Sequence, residues 1–158
     1  MKIVIQRVKR ASVAIEGQIY SSIEKGYLIL VGFSAADEEE VLIPMAKKLL
    51  ELRINEDQQG KMNLSIMDIE GEILSVSQFT LYADCRKGRR PSFTNACSPE
   101  KASQLYDRFN DILKQSGLKV ETGVFQALME VELINDGPVT VILDSDIMLK
   151  RPTMKNQV

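Results

Sequence analysis

Two short stretches hold the residues of this chain that could do chemistry. SVSQFTLY (75–82) places a hydroxyl, a carboxamide and a second hydroxyl on Ser77, Gln78 and Thr80, near the end of a predicted strand. With strand-end amides, such groups can line a small polar pocket. Thr80 becomes a nucleophile only when a base activates it, and no base stands near it in the sequence. The second stretch, Asn135-Asp136-Gly137-Pro138, lies between the alternating MEVELI (129–134) and the β-branched VTVILDS (139–145). These four residue types make turns, each for its own reason. Yet proline cannot donate to a ladder, and an X-Pro bond is where a cis peptide costs little. A cis Gly137-Pro138 would aim two successive carbonyls in nearly the same direction, which a trans peptide cannot do. From these residues alone, an ordinary corner and a posed backbone both stand.

The chain has no histidine. That excludes Ser-His-Asp and Cys-His nucleophile systems, histidine-based zinc sites and imidazole as a general base. Cys85 and Cys97 lie twelve apart and match no metal or redox spacing, so neither a metal nor a cofactor is expected. A hydrolase with this composition works by positioning, backbone electrostatics, a carboxylate, or a group brought by its substrate. The net charge of −2 gives no overall basic footprint for nucleic acid. CRKGRRP (85–91), however, gathers Arg86, Lys87, Arg89 and Arg90 with no acid among them. Such a run is either a solvated loop or a seat for phosphates.

The elements that must position these groups are legible in outline. At 158 residues the chain fits one domain. Strands are predicted at 2–9, 11–16 and 18–23, with Glu16-Gly17 as a tight turn. YLILVGF (27–33) is apolar on both faces, as a buried central strand would be, and far too short to span a bilayer. Asp37 is expected to cap a helix through about Leu52, with Leu42, Met45, Leu49 and Leu52 on one stripe. Pro44 either kinks that helix or marks a regular part beginning near Ile43. A loop at 56–61, a short segment to Asp68 and a turn at Glu70-Gly71 lead into a strand over 73–82. Its alternation puts Val76, Gln78, Thr80 and Tyr82 on one face and Ser77, Phe79 and Leu81 on the other. Ser98-Pro99 opens a second helix with Leu105, Phe109, Ile112 and Leu113 as its stripe, ended by Gly117. Strands follow at 118–134 and 139–144. The fold class is α+β, a mostly antiparallel sheet or partly closed barrel covered by two helices. Residues 1–146 form the domain and 147–158 a C-terminal tail. The N-terminus carries interleaved charges and no small-residue cleavage site, so no signal peptide is read there. Two free thiols then fit a reducing cytoplasm.

SQFTLYAD.RKGRRPSFT (77–94), NDGPVT (135–140) and the opening IVIQRVKRASV (3–13) together resemble the D-aminoacyl-tRNA deacylases. KMNLS (61–65), GEILSVSQFTLY (71–82) and VELINDGPVT (131–140) carry the same likeness. It runs in matching order from Met1 to about Ser145, departing at Pro44 and in an extension after Asp146.

The resemblance implies a metal-free homodimer that hydrolyses the ester between a D-amino acid and the terminal adenosine of tRNA, and so proofreads chirality during translation. Ser77 to Thr80 map onto the family's Ser-Gln-Phe-Thr motif, and Gly137-Pro138 onto its Gly-cis-Pro, each pocket being completed by the partner's Gly-Pro. The Gly-Pro is then a gate. Its parallel carbonyls form a wall against an L side chain and accept bonds from the substrate's ammonium. Glycine has no Cβ to clash, so glycyl-tRNA should enter as well. Gln78, Phe79 and Thr80 are the expected catalytic residues. The amides near Phe79 and Thr80 stabilise the oxyanion, and Gln78 orients the adenosine or its hydroxyls. Either the ribose 2′-hydroxyl assists water or Thr80 attacks directly; the missing base favours the first. Ser77, Met129, Gly137 and Pro138 are expected to bind substrate, although Met129 reads equally as a core methionine. Arg7 would brace the Gly-Pro loop, and Arg86, Arg89 and Arg90 are candidate phosphate contacts. Two other readings remain. One is a non-catalytic RNA-binding module, weakened by the lack of aromatic platforms near the basic loop except Phe93. The other is a general small-ester hydrolase using Thr80.

Overall fold

The computed structural model describes residues 1–149. Strand β1 (Lys2–Ile15) is the spine of the sheet. Along one edge it pairs antiparallel with β3 (Gly26–Gly32) and, further on, with β2 (Gln18–Ile23); along the other it pairs with β8 (Glu130–Asp144). Where two strands were expected at 2–9 and 11–16, one continuous strand runs through. Exposed Lys9 and Arg10 mark a bulge at which its inward positions change from Ile3 and Ile5 to Val8, Ala11 and Val13. The turn at Glu16-Gly17 has φ of 51° and 76°, the left-handed pair that a two-residue hairpin requires.

From β3 the sheet continues through β6 (Glu72–Ser77) to β7 (Val120–Thr122), and both of these pairings are parallel. These two pairings run parallel because each connection carries a helix, which lets the chain return in the same direction, while every pairing of β1 is antiparallel, so the sheet is mostly antiparallel as expected. Helix α1 (Leu42–Glu51) and a small hairpin of β4 (Asn55–Glu56) and β5 (Met62–Leu64) lie between β3 and β6; helix α2 (Pro99–Lys114) lies between β6 and β7. The sheet curls until the Ser21 hydroxyl on β2 donates to the Thr122 carbonyl on β7 at 2.8 Å, so the barrel is nearly closed. Val8, Ala11, Val13, Ile23, Leu28, Leu74 and Val76 fill its inside. Ile3, Ile5, Tyr27, Ile29 and Ile73 face the two helices, meeting Leu42, Met45 and Leu49 of α1 and Leu105, Phe109 and Leu113 of α2.

Three expectations change at the helices and strand ends. Asp37 does not cap α1. Its carboxylate accepts from the Ser34 amide (2.7 Å) and hydroxyl (3.0 Å) and pairs with the Met1 ammonium at 2.5 Å, all out of water. The helix opens instead through a 3₁₀ turn at Glu39–Val41, so Pro44 falls in the first turn, where no N–H is needed. Leu52 already lies beyond the helix in extended backbone. Strand β6 ends at Ser77 and Phe79–Tyr82 form a 3₁₀ turn, which cancels the face assignment for 78–82. The strand expected over 118–134 is broken by a loop at 123–129. Ser98 does precede α2 in extended backbone with Pro99 at its first position, although the serine side chain makes no capping bond.

Asn135–Pro138 does not separate two strands. β8 passes through it unbroken, and Gly137-Pro138 is cis. Gln6 faces Thr140 while Val8 faces Asn135, so residues 136–139 bulge out opposite Arg7 alone. At the C-terminal end, α3 (Ser145–Met148) crosses the expected boundary at 146, and Met148 packs on the core. The rest of the expected tail, 150–158, lies outside the described residues.

Candidate active site

The carboxyl ends of β3 and β6 and the loop after β7 open together beside the start of α2, the location where parallel strands leave room for ligands. They enclose a cavity of about 670 Å³. Of the expected site residues Ser77, Gln78, Phe79 and Met129 line it, whereas Thr80, the next residue of the turn, does not; Phe33, Phe93, Cys97, Phe125 and Leu128, not singled out as a set, line it too. Phe125 packs against Tyr106 of α2, whose hydroxyl donates to the Ser75 carbonyl, so the inner wall is anchored to β6. Among the described residues no Asp, Glu, Lys or Arg lines the cavity. Its one titratable wall group is Cys97, and burial pushes that thiol up.

Glycine at position 32 lets the Phe79–Tyr82 turn sit against β3. A methyl there would meet the Gln78 carbonyl at 2.7 Å and the Leu81 Cβ at 3.1 Å. The Gln78 amide donates to Val31 (2.8 Å) and the Leu81 amide to Gln78 (3.3 Å), which pins both ends of the turn. Between them, the amides of Phe79 and Thr80 have no acceptor among the described residues. They are the first two N–H groups of a helical turn, which the turn itself cannot satisfy. Gln78 does not cap them, because its carboxamide donates to Thr80 Oγ1.

Gly137 and Pro138 are not in this cavity. Within the single chain they stand over Arg7, which is 5% exposed and threads beneath the bulge. Its Nε donates to the Asp136 carbonyl at 3.0 Å and its Nη1 to the Ile54 carbonyl at 2.7 Å. The Asp136 and Glu56 carboxylates lie 3.6 Å away and balance its charge. Arg7 braces the bulge as expected. The basic loop is closed at its base by paired Asp84 and Ser92. Arg86 is engaged there by Asp84 at 2.7 and 2.9 Å, which draws that carboxyl down to about 2. Arg89 and Arg90 form no ion pair among the described residues and are exposed.

The family described as D-Tyr-tRNA(Tyr) deacylase matches residues 4–144. The D-aminoacyl-tRNA deacylase of Halothermothrix orenii is 58% identical over 146 residues, covering 92% of this chain and 98% of its own. That of Dictyoglomus turgidum is 54% identical over 157 residues, covering 99% and 100%. Among solved structures, one described as c-Myc DNA Unwinding Element Binding Protein superposes with a TM-score of 0.86 at 43% identity, over 92% of this chain and 99% of that one. A probable eukaryotic D-amino acid tRNA deacylase shares the fold at 17% identity, with a TM-score of 0.79 over 90% of this chain and 97% of that one.

Proposed function

The chain belongs to the D-Tyr-tRNA(Tyr) deacylase family and hydrolyses the ester that joins a D-amino acid to tRNA; from that premise we propose how its residues divide the work. One observation carries the reading: a cavity lined by the Ser77 hydroxyl, the Gln78 carboxamide and Phe79, whose unpaired amide is followed in the same turn by that of Thr80, with no Asp, Glu, Lys or Arg among the described residues of its walls. Such a site stabilises charge on an ester oxygen and leaves proton handling to the substrate. The ester carbonyl points at the Phe79 and Thr80 amides. Water adds to the carbonyl carbon, the carbon–oxygen bond to the ribose breaks, and the leaving oxygen takes the proton. The neighbouring ribose 2′-hydroxyl orients that water, while Gln78 holds the sugar hydroxyls and Ser77 and Met129 shape the pocket.

Chirality is read by Gly137 and Pro138 of a second copy, whose carbonyls receive the ammonium and leave no room for an L side chain. Their absence from the cavity of their own chain supports this reading. So does the outer edge of β8, which among the described residues pairs only with β1 and leaves Ile142 67% exposed beside Ile147 of α3, itself 79% exposed. An aliphatic sheet edge of this kind is what a twofold partner covers. Glycyl-tRNA passes the gate because it has no side chain to reject. Arg89 and Arg90 meet backbone phosphates, with Arg86 already committed to Asp84. The two free thiols support a cytoplasmic setting; among the described residues no helix is long and apolar enough to cross a membrane.

Matched D- and L-aminoacyl-tRNA, followed for deacylation over a range of protein concentrations, tests both parts. Turnover of the D ester alone, falling as the protein is diluted past its subunit dissociation, is the expected result. Equal rates on both esters would remove the gate, full activity from a monomer would remove the shared site, and tight binding without turnover would leave only an RNA-binding module.

A further inference from the structure

At the mouth of the cavity two aromatic rings remain open to solvent. Phe79 is 56% exposed and Phe93 38%. Their centroids lie 5.0 Å apart and their planes meet at 65°, so the edge of one ring meets a face of the other while both keep surface open to solvent. Phe93 does not ride on the tip of the basic loop. The Ala96 amide donates to its carbonyl at 3.0 Å, Ala96 bridges to Ser34, and the Cys97 amide bonds Phe33 at 3.0 Å. The backbone beside Phe93 is therefore tied to the segment that follows β3 and its ring packs on Phe79, while Arg89 and Arg90, unpaired among the described residues, precede it in the same loop.

A fixed open aromatic face beside free guanidinium groups is the arrangement that holds single-stranded nucleic acid, one base stacked while cations follow the backbone. We propose that Phe93, packed against Phe79, is the stacking platform for the base that precedes the terminal adenosine. This rests on the deacylase reading, which puts the ester at the Phe79 and Thr80 amides. The terminal nucleoside then fills the cavity with its ester, and the preceding nucleotide leaves through the mouth, where the two rings stand. Stacking is tolerant of base identity, so the platform grips the strand without selecting one tRNA from another. It also joins binding to chemistry, because the ring that steadies Phe93 belongs to the residue whose amide faces the oxyanion.

Phe93→Leu keeps the apolar bulk and removes the π-face. Two readouts are paired. The first is the preference, in kcat/KM, for a D-aminoacyl trinucleotide over a D-aminoacyl adenosine. The second is the fluorescence of 2-aminopurine in the penultimate position of a trinucleotide whose D-amino acid is joined by a non-hydrolysable amide. The wild type is expected to quench the fluorophore and to prefer the longer ester; the variant is expected to lose the quench and roughly tenfold of the preference. An unchanged preference with the quench intact would overturn the platform. So would an equal loss on both esters, which would make Phe93 only a cavity wall. A variant whose subunits fall apart by mass measurement would show that a second copy covers the ring. If the wild type cleaves neither ester, the deacylase reading fails, and the quench still decides the platform.

Discussion

Thr80 holds a hydrogen bond from a carboxamide, and a carboxamide takes no proton at neutral pH in either orientation of its amide group. With no base on the cavity wall, the hydroxyl cannot be raised to an attacking alkoxide. Thr80→Ala is therefore expected to keep measurable single-turnover activity, because the two amides belong to the backbone. Replacing the terminal 2′-hydroxyl by hydrogen should cost about 10²–10⁴ in rate, the usual worth of a positioned proton-handling group. An acyl adduct trapped on Thr80, or a dead alanine variant beside a normally reacting deoxy substrate, would reverse the assignment. Arg7 makes the other residue-scale case. Arg7→Met would strand the Asp136 and Ile54 carbonyls, each losing a charged donor. The expected loss is about 1–3 kcal/mol per group left unsatisfied, read as a fall in the denaturant midpoint. L-aminoacyl-tRNA should then be hydrolysed alongside the D form, as the bulge relaxes.

The catalytic turn owes its place to a missing side chain on β3. Gly32→Ala would drive a methyl into the Gln78 carbonyl and Leu81, and the turn must retreat from the strand. A displacement of that size at the reacting centre costs roughly 10²-fold, so the variant should stay folded by circular dichroism while its single-turnover rate falls by about that factor. Sequence alone could not show this turn. FTLY has high β propensity and continues the alternation of ILSVS, so the strand was read through to Tyr82; only contact with β3 bends it away. The same limit governs Asn135–Pro138, whose composition signals a corner while its partner strand keeps it in register as a bulge. The start of α2 and the apolar stripes of α1 and α2 were legible because capping and periodicity are local, whereas the start of α1 was not, since Asp37 turns to Met1 from the far end of the chain. The motif residues Ser77, Gln78, Phe79 and Met129 were legible through family likeness, and the structure does gather them. Cys97, Phe125 and Leu128 carried no such signal: they reach the cavity from two separate loops, and isolated apolar residues in loops look alike.

At the scale of the whole molecule, a buried polar line runs from the core to the Gly137-Pro138 bulge. Asn55 donates to the Tyr27 hydroxyl at 2.6 Å, and Arg7 lies beside both. Burial pushes the Tyr27 phenol up to about 12, against the bond from Asn55 and the charge of Arg7, which pull it down. Unfolded, it would ionise near its ordinary 10. Below pH 10 both states keep the proton; between 10 and 12 only the folded state does, so ionisation favours the unfolded chain and stability falls as pH rises through that window. The Tyr27 share of that fall is at most about 1.4 kcal/mol per pH unit, and Tyr27→Phe should flatten the melting temperature between pH 10 and 11.5 relative to the parent. The bulge itself is held by an arginine that grips Asp136 with one nitrogen and Ile54 with another, so it cannot swing without pulling on the floor beneath it. Opening it is then a sub-global unfolding event, not a local flicker. Mistaken acceptance of L esters should stay level as temperature climbs, then rise together with the onset of melting. A warming cell would lose this checkpoint all at once, with no gradual drift in error rate to warn of it.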